Sequence, residues 1–358
     1  MLLPGLPPSF PGRLIDVFAP GGGDEPPDAP LVAAAKGVAD DVLAPAAAAV
    51  DGADRIPEGH LQALREAGLF RVHGGSRSTA RSVYEALAGA CGATFFVWVQ
   101  HHAPLRLLAS SPNRALADRW LPPLLAGEVL GGVAFAHLRR PGPPPVVAEP
   151  AGPGGGYVLR GEAPWVTSWG MAGMFAVAAR CGDGVVFAAV DGVGGRASAP
   201  LALAVMQASR TVRLSLDGVS VAADDVLLEL PVATWSARDR VATAQPNPAA
   251  FGVAATCLRL LDEASPATAV ALRDEWEDCR ARSYAAPDDD VDRLVGLRAW
   301  SLELAVRCAY ALVTATGGRA MTLSSPALRL LREASFYAIQ AQTPALRAAT
   351  LARLTGRC

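Results

Sequence analysis

The chain has 358 residues, is 51% hydrophobic and 18% charged, and carries a net charge of −2. Such a length buries a large core and accommodates two or three domains, and the composition excludes an intrinsically disordered chain. With no basic block, neither nucleic acid nor an anionic membrane surface is an expected partner.

Residues 1–28 are rich in Pro and Gly, with Pro4, Pro7, Pro8 and Pro11 where a secretory leader needs an apolar helix. They are expected to form an irregular arm and not a signal peptide. Asp28 is placed to cap a helix with Pro30 in its first turn; Leu31, Val38, Val42 and Leu43 follow at helical spacing, and Pro45 bends or ends the helix. Further helices are expected near 58–67, closed by Gly68, then at 79–90, at 94–108, and at 114–125 after Asn113.

The texture changes at Gly131. Short apolar runs at 133–135, 157–159, 174–179, 185–190, 202–205, 212–216 and 219–221 are divided by Gly, Pro and Asp. That punctuation predicts an antiparallel sheet domain, a small barrel or sandwich. Helix returns from about Trp235, with candidates at 251–264, 268–283, 291–315, 326–340 and 344–354. Asp288, Asp289 and Asp290 stand before the third of these, where carboxylates meet the positive end of a helix dipole. The predicted class is mostly α with a central β domain: arm 1–28, helical domain 29–130, β domain 131–234 and helical bundle 235–358.

Six cysteines (91, 181, 257, 279, 308 and 358) lie scattered, with no CxxC and no Cys–His zinc spacing. No metal site is expected, and isolated thiols suit a reducing cytoplasm. The longest uncharged run, between Arg240 and Arg259, contains Gln245, Pro246, Asn247 and Pro248, so no membrane span is expected.

Chemistry concentrates in a few places. Residues 155–168 read as a glycine turn, a strand of alternating character, a second turn at Gly161-Glu162, and then Trp165-Val166-Thr167-Ser168. An aromatic plane beside two hydroxyls suits a flat, hydrogen-bonding ring; an ordinary hairpin with a buried Trp is the plainer alternative. Gln100-His101-His102 puts adjacent imidazoles about 100° apart on a helix, which is not the i, i+4 pair of a zinc helix. The pair is either a polar edge facing the β domain or part of a substrate pocket. His137 follows the first strand and is a candidate to line the active site and to serve as its base. Arg139 and Arg140 suit a carboxylate or phosphate clamp, or surface ion pairs. Arg329 and Arg332 divide the same way, toward phosphate or a helix face.

Three segments then carry a resemblance. The first is Leu43-Ala44-Pro45-Ala46 with Asp51, Arg55-Ile56-Pro57 and Ala67-Gly68-Leu69; the second is Trp165-Val166-Thr167-Ser168; the third is Gly317-Gly318, Arg329-Leu330-Leu331-Arg332-Glu333 and the run from Ile339 to Thr343. In this order they resemble the acyl-CoA dehydrogenase superfamily over nearly the whole chain. The resemblance implies FAD between the β domain and the C-terminal bundle, an acyl-CoA or acyl-carrier-protein substrate, and a homodimer or homotetramer. It places Trp165, Val166, Thr167 and Ser168 at the isoalloxazine, Gly317 and Gly318 at the pyrophosphate of a neighbouring subunit's FAD, and Thr343 near the cofactor. His101, Arg139 and Arg140 are the substrate-side candidates.

The departures are as informative. Where many members have their catalytic Glu, this chain has Ala341, and the neighbourhood of the alternative position, Val241 to Gln245, has no carboxylate. The flavin-facing segment after the first strand is replaced by Ala136 to Gly142, and Thr314 replaces the Gln before the double glycine. The expected activity is a flavin-dependent oxidoreductase acting on the CH–CH group of an acyl thioester, with an electron-transfer partner or a flavin reductase. The alternatives are a reduced-flavin monooxygenase, which does not need the Glu, and a non-catalytic subunit in a hetero-oligomer with an active paralogue.

Overall fold

The computed structural model describes residues 26–152, 154–191 and 196–356. The expected N-terminal arm and Cys358 lie outside these residues, save positions 26–28. Helix α1 (Ala29–Val38) begins where Asp28 accepts a hydrogen bond from the Leu31 amide. Pro45 does not end it. One π turn (Ala39–Leu43) carries the chain into α2 (Ala44–Asp51), with the Ala44 amide reaching back to the Ala39 carbonyl. Proline lacks the amide for the regular ladder, and a single wider turn absorbs the mismatch. Then come α3 (Glu58–Glu66), α4 (Arg77–Ala90), α5 (Gly92–Ser110) and α6 (Arg114–Leu125). Helix α5 is the axis of the N-terminal half. Every residue from Gly92 to Leu108 is buried, and Phe95 and Trp98 meet Tyr84 of α4 edge-on.

The strands are β1 (Gly131–Ala134), β2 (Val146–Pro150), β3 (Tyr157–Val166), β4 (Met174–Cys181), β5 (Gly184–Asp191), β6 (Arg196–Ala197), β7 (Val212–Ser215), β8 (Val219–Val221) and β9 (Val226–Pro231). Their order is β6-β7-β3-β2-β4-β5-β9, with β1 beside β4 and β8 beside β3. Most pairings are antiparallel; β1 and β2 run parallel to β4. Strands β4 and β5 read as unbroken apolar runs because both their faces are covered. Met174, Ala176 and Phe187 join the core shared with the helices, while Phe175, Val177 and Val186 fill the interior of the β domain.

Two sequence expectations fail here. Residues 202–205 form an irregular loop, not a strand. Gly161-Glu162 is no turn; β3 runs through it. A Cβ on Gly161 would stand 2.0 Å from the Pro145 carbonyl, and its φ is +107°, so glycine marks a close strand approach.

The C-terminal part contains α7 (Val232–Ala244), α8 (Pro248–Ala264), α9 (Pro266–Ala285), α10 (Val291–Thr316), α11 (Pro326–Ile339) and α12 (Pro344–Leu354). The acidic triplet divides its work: Asp290 caps α10 through the Arg293 amide, and Asp288 accepts from Arg77 of α4 at 3.0 Å. Among the described residues, no helix is long and apolar enough to cross a membrane.

Candidate functional site

The site is built at the end of β3. Its ladder with β7 slips between Ala163 and Val166, and inside this irregularity Trp165 adopts φ +60°. An extra residue in a strand re-aims the next side chain, a device common beside active sites. Here Val166 stays in the core while the Trp165 indole is thrown outward and is 54% exposed. The buried-Trp hairpin is therefore not what forms.

Just after Trp165, the loop is docked on a second segment, residues 206–210. The Ser168 amide donates to the Ser209 carbonyl at 2.8 Å, and the Trp169 amide to the Arg210 carbonyl at 3.3 Å. A chain of hydroxyls, Thr167 to Thr211 (3.3 Å) to Ser209 (2.9 Å), lies buried between them. Ser168 is fully buried, and its Oγ has no hydrogen-bond partner among the described residues. Five described non-glycine residues have positive φ; four of them, Trp165, Ser168, Met206 and Arg210, belong to this pair of segments. Each left-handed non-glycine residue costs about 1–3 kcal/mol and persists only where its surroundings over-determine it, typically at binding sites.

The other sequence-derived candidates fall in different places. His101 is fully buried at the α5–β1 contact, where Nδ1 accepts from the Gly131 amide at 2.9 Å and Phe70 meets its ring edge-on. Burial holds its pKa down to about 3, with the Leu124 backbone acting weakly the other way. It is spent on the packing of β1 and is closed off from solvent. His137, on the short helical turn Ala136–Arg139, is buried too, and its Nε2 meets the Ala178 carbonyl of β4 at 3.0 Å. Burial pushes its pKa down to about 4, the Ala178 bond opposing and Arg140 adding slightly. With one nitrogen spent on a carbonyl and the ring enclosed, His137 is poorly placed for the base role.

Arg139 is no substrate clamp: its guanidinium grips Asp239 of α7, with Nη2–Oδ1 at 2.7 Å and Nε–Oδ2 at 2.9 Å. Asp239 itself is absent from the sequence-derived set. It is a buried carboxylate two residues ahead of the stretch 241–245 that the resemblance points to. Arg140 is exposed. Arg329 pairs with Glu333 inside the bundle at 2.8 Å, and Arg332 holds Asp51 and the Ala204 carbonyl. Thr343 caps α12 through the Leu346 amide at 3.2 Å.

Gly317 closes α10 with φ +66°. A Cβ on Gly317 or Gly318 would meet nothing within 4 Å, so a ligand or another chain has room to approach the backbone. Ala341, between α11 and α12, is the fifth left-handed residue, with φ +51°. Replacing it by glycine is expected to stabilise the protein by roughly 0.5–1 kcal/mol, since relief of Cβ strain outweighs the added freedom of the unfolded chain. A thermal melt checks this; a lower midpoint would mean that the left-handed turn costs nothing at this position.

The Trp165 segment, with its half-exposed indole, its left-handed backbone and its hydrogen bonds to residues 209 and 210, suits one edge of a flat ring such as a flavin.

Comparisons with known proteins bear on the fold and the family. Residues 28–128 match the model of the acyl-CoA dehydrogenase N-terminal domain. A benzylmalonyl-CoA dehydrogenase from Aromatoleum aromaticum is 29% identical over 154 residues, which is 40% of this chain and 41% of that relative. The butyryl-CoA dehydrogenase structure from Megasphaera elsdenii superimposes with a TM-score of 0.74 at 18% identity, covering 92% of this chain and 99% of that one. A glutaryl-CoA dehydrogenase from Mycobacterium smegmatis in complex with FADH2 gives 0.72 at 17% identity, covering 91% and 94%. At these identities the solved structures establish the fold alone.

Proposed function

We propose that this chain, which belongs to the acyl-CoA dehydrogenase superfamily, is a flavin-dependent oxidoreductase acting on an acyl thioester carried by CoA or a carrier protein. The observation that carries the reading is Trp165: a large aromatic ring held outward by a costly backbone conformation, in a loop whose next residues, Ser168 and Trp169, are bonded to Ser209 and Arg210. Trp165 would pack against the isoalloxazine, and the loop from Val166 to Ser168 would fix its height and tilt. Gly317 and Gly318 would admit the pyrophosphate of a second copy's flavin. Bound there, the flavin supplies the hydride or oxygen chemistry itself, and the protein supplies placement and exclusion of water.

Oligomerisation fits the exposed apolar side chains of the C-terminal helices. Met321 and Leu323, close to the two glycines in the chain, are exposed, Leu323 at 88%, as are Tyr310, Ile339, Leu351 and Leu354. Apolar area of this kind on a helical bundle suits contact with another copy or a paralogue.

Ala341 carries no carboxylate, and both oxygens of Asp239 are engaged by Arg139. A chemistry without an α-proton base, such as reduced-flavin oxygenation, or a half-site shared with an active paralogue, is the second reading.

The test is the visible spectrum of the purified protein, with release and identification of any flavin, followed by acyl-CoAs with a dye acceptor. Stoichiometric FAD with dye reduction supports the dehydrogenase; FAD without dye reduction moves the weight to the second reading. Trp165→Ala is expected to weaken FAD binding by at least about tenfold while leaving the fold intact, because the side chain is half exposed. Unchanged flavin content in that variant would sink the placement of the ring on Trp165.

A further inference from the structure

The structure assigns to Arg210 a positioning role: it locks the loop that carries Trp165 to the N-terminal helical domain. Arg210 closes the 206–210 segment in a left-handed conformation, φ +49°. Its Nε donates to the Trp169 carbonyl at 3.0 Å, and its own carbonyl accepts from the Trp169 amide, so side chain and backbone hold one residue from two directions. The far end of the guanidinium, through Nη1, pairs with Asp54 in the turn after α2. The same turn is tied to the segment a second time, the Ile56 amide donating to the Ala208 carbonyl at 3.1 Å. On its other side, Arg332 of α11 donates to the Ala204 carbonyl at 2.7 Å and pairs with Asp51 at the end of α2. At the start of the segment, Met206 presses on Gly92, where α5 begins.

The loop beneath the indole is thus not supported by the β domain alone. It is clamped to α2, α5 and α11, and the Arg210 side chain bridges the Trp165 loop and the helical domain's turn directly. A guanidinium can do this because its fork presents donors in two directions at once; a lysine has one charged point on a flexible stem. The Arg210 side chain bonds Trp169 and Asp54, not Trp165 itself. Its effect on the ligand would run through the height and tilt of Trp165, which sets it apart from a contact residue.

This inference rests on the flavin reading of the Trp165 loop, and the experiment separates the two. FAD is titrated into the full-length protein and three variants, following flavin fluorescence and the vibronic shape of the flavin absorption band, with a thermal melt of each unliganded protein. Arg210→Gly keeps the left-handed backbone and removes the guanidinium; it is expected to raise the FAD dissociation constant roughly tenfold and to blur the band shape. Asp54→Asn removes only the ion pair and is expected to have a smaller effect. Arg210→Lys is expected to restore little, which a role for charge alone would not produce. If Arg210→Gly lowers the melting midpoint but leaves FAD affinity and band shape as in the parent, the residue is merely structural and the inference is overturned. If the parent itself takes up no FAD under any condition, the flavin reading falls, and this inference with it.

Discussion

Gly252→Ala is expected to destabilise the protein by roughly 3 kcal/mol, a large effect for one added methyl. The cause is the crossing of α4 and α8. A Cβ on Gly252 would stand 2.1 Å from the Glu85 carbonyl oxygen and 2.8 Å from its Cα. These are backbone atoms, and no rotamer change moves them aside. The opposite side of the crossing is equally tight: a Cβ on Gly89 would meet the Gly252 carbonyl at 2.7 Å, and Thr256 donates to the Gly89 carbonyl at 3.0 Å. Just above the contact, Glu85 is held by Arg280 of α9 at 2.8 Å and by the Tyr284 hydroxyl at 2.6 Å. Pushing α4 off α8 therefore pulls on an ion pair as well as on the core. Gly296→Ala is the matching control, since its Cβ would meet nothing within 4 Å inside α10. That change should be neutral or stabilising by up to about 1 kcal/mol, alanine being the better helix former. Melts of both variants decide the matter: equal midpoints would mean that α4 and α8 part freely and that their backbones are not in fixed contact at this crossing.

The fold was largely legible because its helices announce their ends. Thr343 and Pro344 open α12, Asn113 opens α6, and Pro326 opens α11; the expected and observed bounds agree there to within a residue. What escaped has physical reasons. Helix α7 turns Asp239 and Thr243 toward its buried side, so no apolar face at a period of 3.6 appears in Val232 to Ala244. Strand β2 begins right after Pro143, Pro144 and Pro145, which read as loop. Gly161 reads as a turn because glycine there suits a positive φ, whereas in the fold the Pro145 carbonyl, just ahead of β2, takes the place of the missing Cβ. At the site, Trp165 was readable because its segment is local. Arg210 and Asp239 were not, because what makes them interesting is their partners: Asp54 lies 156 residues from Arg210, and Arg139 lies 100 from Asp239. The histidines misled in the opposite direction. A buried imidazole that satisfies a backbone group across an element boundary looks, in sequence, the same as one that faces a substrate.

Those same histidines should make the protein acid-sensitive. His101 and His137 are held near pKa values of about 3 and about 4, both chiefly by burial, against 6.5 in an unfolded chain. The unfolded state therefore takes up protons first as pH falls, and it gains on the folded state. The stability they contribute is complete above pH 6.5 and is lost progressively down toward each folded pKa. At about 1.4 kcal/mol per unit for each group, the pair is expected to remove roughly 3 kcal/mol between pH 6.5 and 5. His101 has a geometric reason to resist the proton besides its burial: its Nδ1 accepts from the Gly131 amide, and a proton there would set two donors against each other. Glu85 and Glu333 act in the opposite sense at the lower end of the window, because burial pushes their carboxyls above 4.5. The parent's slope alone therefore mixes two opposing groups. The comparison that separates them is with a His101→Gln/His137→Gln double variant, which keeps polar groups at both places but cannot titrate. Its stability should fall less steeply over this window than the parent's, even if it starts lower. Parallel curves would mean that the two imidazoles accept protons in the folded protein as readily as in water, and that the α5–β1 and β1–β4 contacts they occupy open at no cost.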